Sequence, residues 1–357
     1  MIIAEHQGDA TRFMFADFSN LPAAVFCRAP TGGGEVNRRG FLVSVAAATA
    51  WPITGWAQEV GRTYRLGFLT PVARETPAIA AFLDELRLAG FNEGENLILV
   101  ADGFGVRNDQ ISERAGSVVM AAPDAIISGP LLHTRALQQL TQAIPLVAMT
   151  EDMVAEKLVA SLARPGGNIT GISLLSPELD GKRQDILIEA VPRARRIAAL
   201  ADANITPIRH LQTLQDAART RDVTLLPMSV GAREEIPAAL HSCKASGAEA
   251  LNVLASPLFF VNRRTVIDHA AALRLPAIYQ WPNMAEEGGF LAYGPRFEQV
   301  YRQRARIVVK LLRGAKAAEI PVEQPSVFEL ALNLQTAKSI DYQVPEALIH
   351  RADKVIE

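Results

Sequence analysis

The sequence predicts an α/β protein built of two doubly wound lobes, and three observations predict it. From Tyr64 onward, short and wholly apolar runs alternate with amphipathic segments of helical period, the pattern of a parallel sheet covered on both faces. The rhythm breaks once, at "RPGGNITG" (164–171), and then starts again, so two series of similar size follow one another. Of the 357 residues, about 300 lie beyond residue 57, enough for two lobes of ordinary size.

The first series opens with "YRLGFLT", a strand ending at Thr70-Pro71. "AIAAFLDELRLAG" has apolar residues at helical spacing and stops on Gly90, a good C-terminal cap. "NLILVADGF" reads as the second strand, "DQISERAGSVVMAA" as a helix capped by Asp109, and "DAIISG" as the third strand. A helix around "LHTRALQQLTQA", the strand "IPLVAMT" and a helix over "MVAEKLVASLA" complete the series. The second series pairs "DGKRQDILIEAVP" (helix) with "RRIAALAD" (strand), then "IRHLQTLQDAARTR" with "VTLLPMSV". "REEIPAALHSCKASG" precedes the strand "EALNVLAS", and a helix over 263–275 precedes "PAIYQW". The tail, "RFEQVYRQRARIVVKLLRG" and then "FELALNLQTAKSI", is one long helix followed by a strand–helix pair. That is too little for a third lobe, so it is expected to complete the sheets of the first two.

Upstream, residues 37–58 read "NRRGFLVSVAAATAWPITGWAQ" and have the three parts of an export signal. Arg38-Arg39 is a basic start, Phe41–Ala50 is an apolar run, and Gly55-Trp56-Ala57 offers small residues for cleavage after Ala57. The run is too short to span a bilayer, which takes about 20 residues. The arginine pair followed by Gly-Phe-Leu resembles a twin-arginine signal. Residues 1–36, with Gly32-Gly33-Gly34, Pro22 and Pro30, show no sustained period. They are expected to be a leader outside the working protein, with Val36, whose codon can be GTG, as the actual start. The expected location is the periplasm.

Composition excludes several function classes. The net charge is −2, and removing residues 1–57 takes away four acidic and four basic residues, leaving it unchanged. No basic field exists to hold nucleic acid by counterion release. Cys27 precedes the signal, so Cys243 stands alone beyond it and no internal disulfide is expected. Neither a phosphate-binding loop nor a G-x-S-x-G elbow occurs, and the histidines show no zinc-ligand spacing. No catalytic group, metal or cofactor is therefore expected. A repressor on a similar scaffold would need a helix-turn-helix before the first lobe, where the export signal stands. An enzyme on the scaffold would need a catalytic constellation.

Eight stretches carry a resemblance: "GFLTP", "AFLDELRLAGFNEGENL", "ASLARPGGNITGISLLSPELDGKR", "PLFFVNRR", "RLPAIY", "EEGGFLAYGP", "YRQRARIVVKLLRGAKAAEIPVEQPSVFELALNLQTAK" and "RADKVIE". Together they resemble the ABC-transporter substrate-binding proteins of the family that includes tryptophan- and tyrosine-binding members, over nearly all of residues 62–357. The resemblance implies a type I periplasmic-binding fold, two Rossmann-like lobes joined by three hinge crossings. It implies capture of a small molecule, an amino acid or related metabolite, and delivery to an ABC permease in the inner membrane. A monomer is expected, and a binding protein feeding a signalling receptor is the alternative. Lobe 1 would comprise 58–175 and 296–325, and lobe 2 176–295 and 326–357. The crossings fall near Leu174–Ser176, Tyr293–Pro295 and Pro325–Val327.

Ligand contacts are expected at strand ends and the helix N-termini that follow, where free N–H groups attract a carboxylate. In the first lobe these are Thr70, Ser128, Gly129, Thr150, Glu151 and Asp152. In the second they are Asn204, Ser256, Tyr279 and Trp281, with Ser176 at the first crossing. Ser128-Gly129 is the best anion candidate. Tyr279 and Trp281 share a strand face, and Trp281, just before Pro282, is the better placed to stack on a flat ligand. By the resemblance, Asp152 matches an acidic residue of a Gly-Asp-Pro turn that suits a ligand ammonium, with Glu151 pointing to solvent. This chain reads Glu151-Asp152-Met153 there, and has Pro257 where the family often has an acid.

Overall fold

Strands that are apolar on both faces can be satisfied only inside a covered parallel sheet, and the first five strands form one. β1 (Tyr64–Leu69), β2 (Leu97–Leu99), β3 (Ala125–Ser128), β4 (Leu146–Thr150) and β5 (Ile169–Ser173) lie in the order β2-β1-β3-β4-β5. Every pairing in the sheet is parallel. The computed structural model describes residues 61–357; the expected leader (1–36) and export signal (37–57) lie outside the described residues. Helices α1 (Pro77–Leu88), α2 (Ile111–Met120) and α3 (Leu131–Leu140) supply the crossovers.

Two expected elements of this lobe differ. The second strand stops at Leu99, and Ala101–Gly103 is a 3₁₀ turn. A Cβ on Gly103 would lie 1.5 Å from the Phe68 carbonyl oxygen, so the chain leaves the ladder there to press its backbone on β1. The helix expected over 153–163 is instead a series of turns. Lys157 takes a left-handed φ of 56°, and the Asp152 carboxylate binds the Val154 and Ala155 N–H groups. Part of the cover over this sheet comes from much further along the chain. α10 (Phe297–Leu312) packs on α1 and against β3, β4 and β5.

The second sheet has seven strands: β6 (Arg196–Asp202), β7 (Thr224–Val230), β8 (Ala250–Val253), β9 (Ala277–Tyr279), β10 (Leu291–Gly294), β11 (Glu329–Asn333) and β12 (Lys354–Ile356). Their order is β12-β11-β10-β9-β8-β6-β7, parallel except for the β10–β11 pair. Pro227 is tolerated in β7 because that strand is an edge. The helices of this part are α4 (Ser176–Ala190), α5 (Ile208–Arg219), α6 (Ile236–Ala245), α7 (Pro257–Val261), α8 (Arg263–Ala272), α9 (Pro282–Glu286), α11 (Leu334–Ser339) and α12 (Glu346–Arg351). No helix of the described residues is long and apolar enough to cross a membrane.

The chain passes between the sheets three times: after β5, after β10 and before β11. The first passage turns on Leu175, whose φ of 55° is a left-handed conformation that a leucine rarely takes. The third leaves the edge of β5, where Glu323 N–H donates to the Gly171 carbonyl and Ser173 N–H to that of Glu323, both at 2.9 Å. The passages are tied together. Arg296 in the second grips both oxygens of Glu329 at the end of the third, at 2.5 and 2.6 Å. Arg183 of α4 donates to the Tyr293 carbonyl at 3.0 Å.

Candidate functional site

A cavity of about 430 Å³, counted to its open mouth, lies where the two lobes meet. The turns after β1, β3 and β4 supply Thr70, Gly129 and Glu151, and the turn after β9 supplies Gln280 and Trp281. These are carboxyl ends of parallel strands, where open α/β sheets bind ligands. The rest of the wall is apolar: Met149 and Leu174 from the first lobe and first crossing, Phe260 from α7, and Phe297 and Tyr301 from α10. The rings form one group. Phe297 is 4.8 Å from Trp281, 4.5 Å from Phe260 and 4.9 Å from Tyr301.

Into this apolar wall the chain sets a few polar atoms, and several lack a partner. Trp281 Nε1 and the Tyr301 hydroxyl are buried with no hydrogen-bond partner. Gln280 is held by its Oε1, which accepts from the Ser256 N–H at 2.8 Å. Buried donors are almost always satisfied, so unpaired ones lining a cavity mark places for ligand acceptors.

Among the described residues, Glu151 is the only ionisable acid or base on the wall apart from Tyr301. The Ser176 hydroxyl, at the start of α4, donates to its Oε2. Burial pushes the Glu151 carboxyl up to about 7; Ser176 opposes this, Glu156 and Asp180 add to it, and Arg183 opposes it. A carboxyl so placed gains most from a partner that brings positive charge.

The expected site residues divide. Thr70, Gly129, Glu151 and Trp281 line the cavity, and Ser176 reaches it through Glu151. Ser256 does not line it but positions Gln280. Its hydroxyl donates to Asp202 at 2.6 Å and accepts from the Leu258 N–H, capping α7. Ser128 faces inward onto Thr134 at 3.0 Å, so the pair Ser128-Gly129 offers the cavity only its glycine. Thr150 does not line the cavity; it is buried, and its hydroxyl acts on the Glu156 carboxyl. Asn204 closes its own turn on Asp202 and the Gly231 carbonyl, away from the cavity.

Two expectations are reversed. β9 ends at Tyr279, so Tyr279 and Trp281 do not share a strand face. Tyr279 is in the core and Gln280 joins Trp281 on the wall. The two acids of the "EDM" turn also exchange parts. Glu151 faces the cavity, while Asp152 accepts from Val154 N–H at 3.1 Å and Ala155 N–H at 3.0 Å. Asp152→Ala should therefore cost about 1 kcal/mol of stability, as for a lost cap, and leave ligand affinity within twofold. Chemical unfolding and calorimetric titration of the one variant check both halves.

The sequence reading missed Phe260, Phe297 and Tyr301. "PLFF" directly after Ser256 was a signal for the first. Nothing local marks the other two, which come from a helix that returns from the far end of the chain.

Two α/β lobes meeting over a cavity at their strand ends define a bilobal small-molecule-binding protein. The family profile of the ABC transporter substrate binding protein family matches residues 78–356, and the chain belongs to that family. A tyrosine-binding protein of Clostridioides difficile (strain R20291) is 23% identical over 267 residues, 73% of this chain and 76% of the relative. A conserved domain protein from Vibrio cholerae superposes with a TM-score of 0.74 at 22% identity, covering 82% of this chain and 100% of the other. An ABC domain in complex with L-Trp from Streptococcus pneumonia does so with a TM-score of 0.72 at 19% identity, with the same coverage. The fold is thus the type I periplasmic-binding arrangement expected.

Proposed function

We propose that this chain is the periplasmic component of an ABC importer, exported through its twin-arginine-type signal and acting as a monomer. It captures a small flat or aromatic molecule between its lobes and delivers it to a membrane permease without altering it. The observation that carries this reading is the cavity itself. Four rings line it, two of them, Trp281 and Tyr301, carry buried donors without a hydrogen-bond partner, and one carboxyl, Glu151, stands on its wall. Such a site has aromatic surface for stacking, donors for a carbonyl or carboxylate, and an acid for an amine. The tyrosine- and tryptophan-binding relatives make an aromatic amino acid the first candidate.

Residues 58–357 screened by thermal shift against amino acids, aromatic amines and aromatic acids provide the test. A ligand at 100 times its dissociation constant adds about 2.7 kcal/mol, a readily measured rise in melting temperature. Because both lobes contribute to the wall, binding should also reduce the radius of gyration in small-angle scattering. A panel that leaves the melting temperature untouched would remove the amino-acid reading.

A further inference from the structure

Tyr301 is fully buried and lines the cavity, and its hydroxyl, which meets no partner at hydrogen-bond geometry, interacts with the Arg304 guanidinium. Three residues on, and so on the same side of α10, stands Arg304, which is 1% exposed. Its Nη2 donates to the Ser128 carbonyl at 2.7 Å and the Val147 carbonyl at 2.9 Å, and its Nε has no partner. These carbonyls satisfy hydrogen bonds but not the charge. Among the described residues no carboxylate pairs with this guanidinium, and burial lowers its pKa below the ordinary value, with the Tyr301 phenol beside it opposing the shift. Buried charges in proteins are normally paired. The guanidinium carbon lies 5.0 Å from the centre of the Tyr301 ring, although Arg304 does not itself reach the cavity wall. An anion accepting the Tyr301 O–H would therefore sit in the field of a cation that has no other counter-charge.

We propose that Tyr301 and Arg304 form an anion subsite at the α10 side of the cavity, and that the ligand carries a carboxylate bound there. Tyr301 touches the carboxylate, and Arg304 acts through Tyr301 as the compensating charge. This rests on the reading that the cavity binds a small molecule. It adds that recognition of the acid group is the task of the long helix and not of the Ser128-Gly129 turn. With Glu151 on the same wall, the site has one place for an anion and one for a cation. A purely structural role for Arg304, holding the ends of β3 and β4, would affect stability without regard to the charge of the ligand.

Three related probes separate the groups by calorimetric titration. L-tyrosine carries both charges, tyramine lacks the carboxylate, and 3-(4-hydroxyphenyl)propanoate lacks the ammonium. The wild-type protein should bind tyramine roughly ten- to a hundredfold more weakly than L-tyrosine, the range for a hydrogen bond to a charged group. Tyr301→Phe and Arg304→Met should each weaken both carboxylates about tenfold or more and leave tyramine unchanged, while Arg304→Lys should restore part of the loss. The comparison of ligands on the wild-type protein needs no variant to fold. Tyramine binding as tightly as L-tyrosine, or a Tyr301→Phe variant that keeps the wild-type preference, overturns the subsite while leaving capture of a small molecule intact. Failure of all three probes to bind at millimolar concentration overturns the subsite and the aromatic ligand reading together.

Discussion

Replacing Glu151 by glutamine is expected to stabilise the empty protein at pH 8 and to weaken the binding of an amine ligand. The carboxyl titrates near 7 in the folded protein against an ordinary value of 4.5, chiefly because it is buried. A group raised in this way contributes stability that is fully present below pH 4.5 and is lost as pH climbs through 7. Above pH 7 the empty protein holds an ionised carboxylate in an apolar wall, at a cost of at most about 3 kcal/mol. Glutamine keeps the shape and the Ser176 contact without that cost. At pH 8 the variant should melt about 5 °C above the wild type, and at pH 4.5 the two should nearly coincide.

Ligand binding should respond in the opposite direction. An ammonium favours the ionised form, so below pH 7 its binding must drive off a proton. Its affinity should then rise about tenfold per pH unit up to 7 and level off above. In Glu151→Gln that slope disappears, and affinity falls roughly ten- to a hundredfold. Titration in two buffers of different ionisation enthalpy reads the released proton directly. The groups facing Glu151 are Glu156, Asp180 and Arg183, besides the Ser176 hydroxyl. Burial also raises the Glu156 carboxyl, so Glu156→Gln is the control that separates the two acids. Identical melting profiles for wild type and Glu151→Gln from pH 4.5 to 8 would show that the carboxyl is solvated and not part of an apolar wall.

The second large effect concerns the hinge. Arg183→Met should cost about 3–5 kcal/mol, the penalty for removing one member of a buried ion pair. Arg183 is 1% exposed and donates to Asp180 at 2.6 Å and to the Tyr293 carbonyl at 3.0 Å. The same Asp180 oxygen accepts the Ala255 N–H at 3.0 Å, and the other faces His210 at 3.0 Å. Losing the guanidinium leaves a buried carboxylate short of a partner and frees the second passage between the lobes. The paired replacement Asp180→Leu with Arg183→Met should recover much of the loss, because apolar residues need no desolvation. Urea unfolding of the three variants measures this; a loss below 1 kcal/mol for Arg183→Met would mean that the passages are held by packing and by Arg296 alone.

Much of the fold was legible because its signals are local. Apolar runs such as "AIIS" and "ALNV" are buried on both faces and became β3 and β8, and the helices that flank them carry their own period. The strand ends followed from the same reading, so Thr70, Gly129, Glu151 and Trp281 could be placed together, and all four line the cavity. Where the signal was local but the environment was not, the reading failed. "MVAEKLVASLA" has helical spacing, yet α10 covers part of the sheet there, and Asp152 and Lys157 turn the chain out of a helix.

What only the tertiary structure decided is direction and distance. Glu151 and Asp152 are neighbours with the same chemistry, and their separate duties depend on which way one turn presents each side chain, a choice made by the Ser176 hydroxyl and the Val154 and Ala155 N–H groups. Tyr301 reaches a cavity floored by Gly129, and Arg304 reaches the carbonyl of Ser128, 176 positions earlier. Local propensity carries no information across such a span. The sequence by itself determined two covered, mainly parallel sheets and the end at which a cavity would open; the return of α10 across the first lobe determined which of its rings join the cavity wall and which buried charge stands behind them, because those contacts exist only once the core has closed.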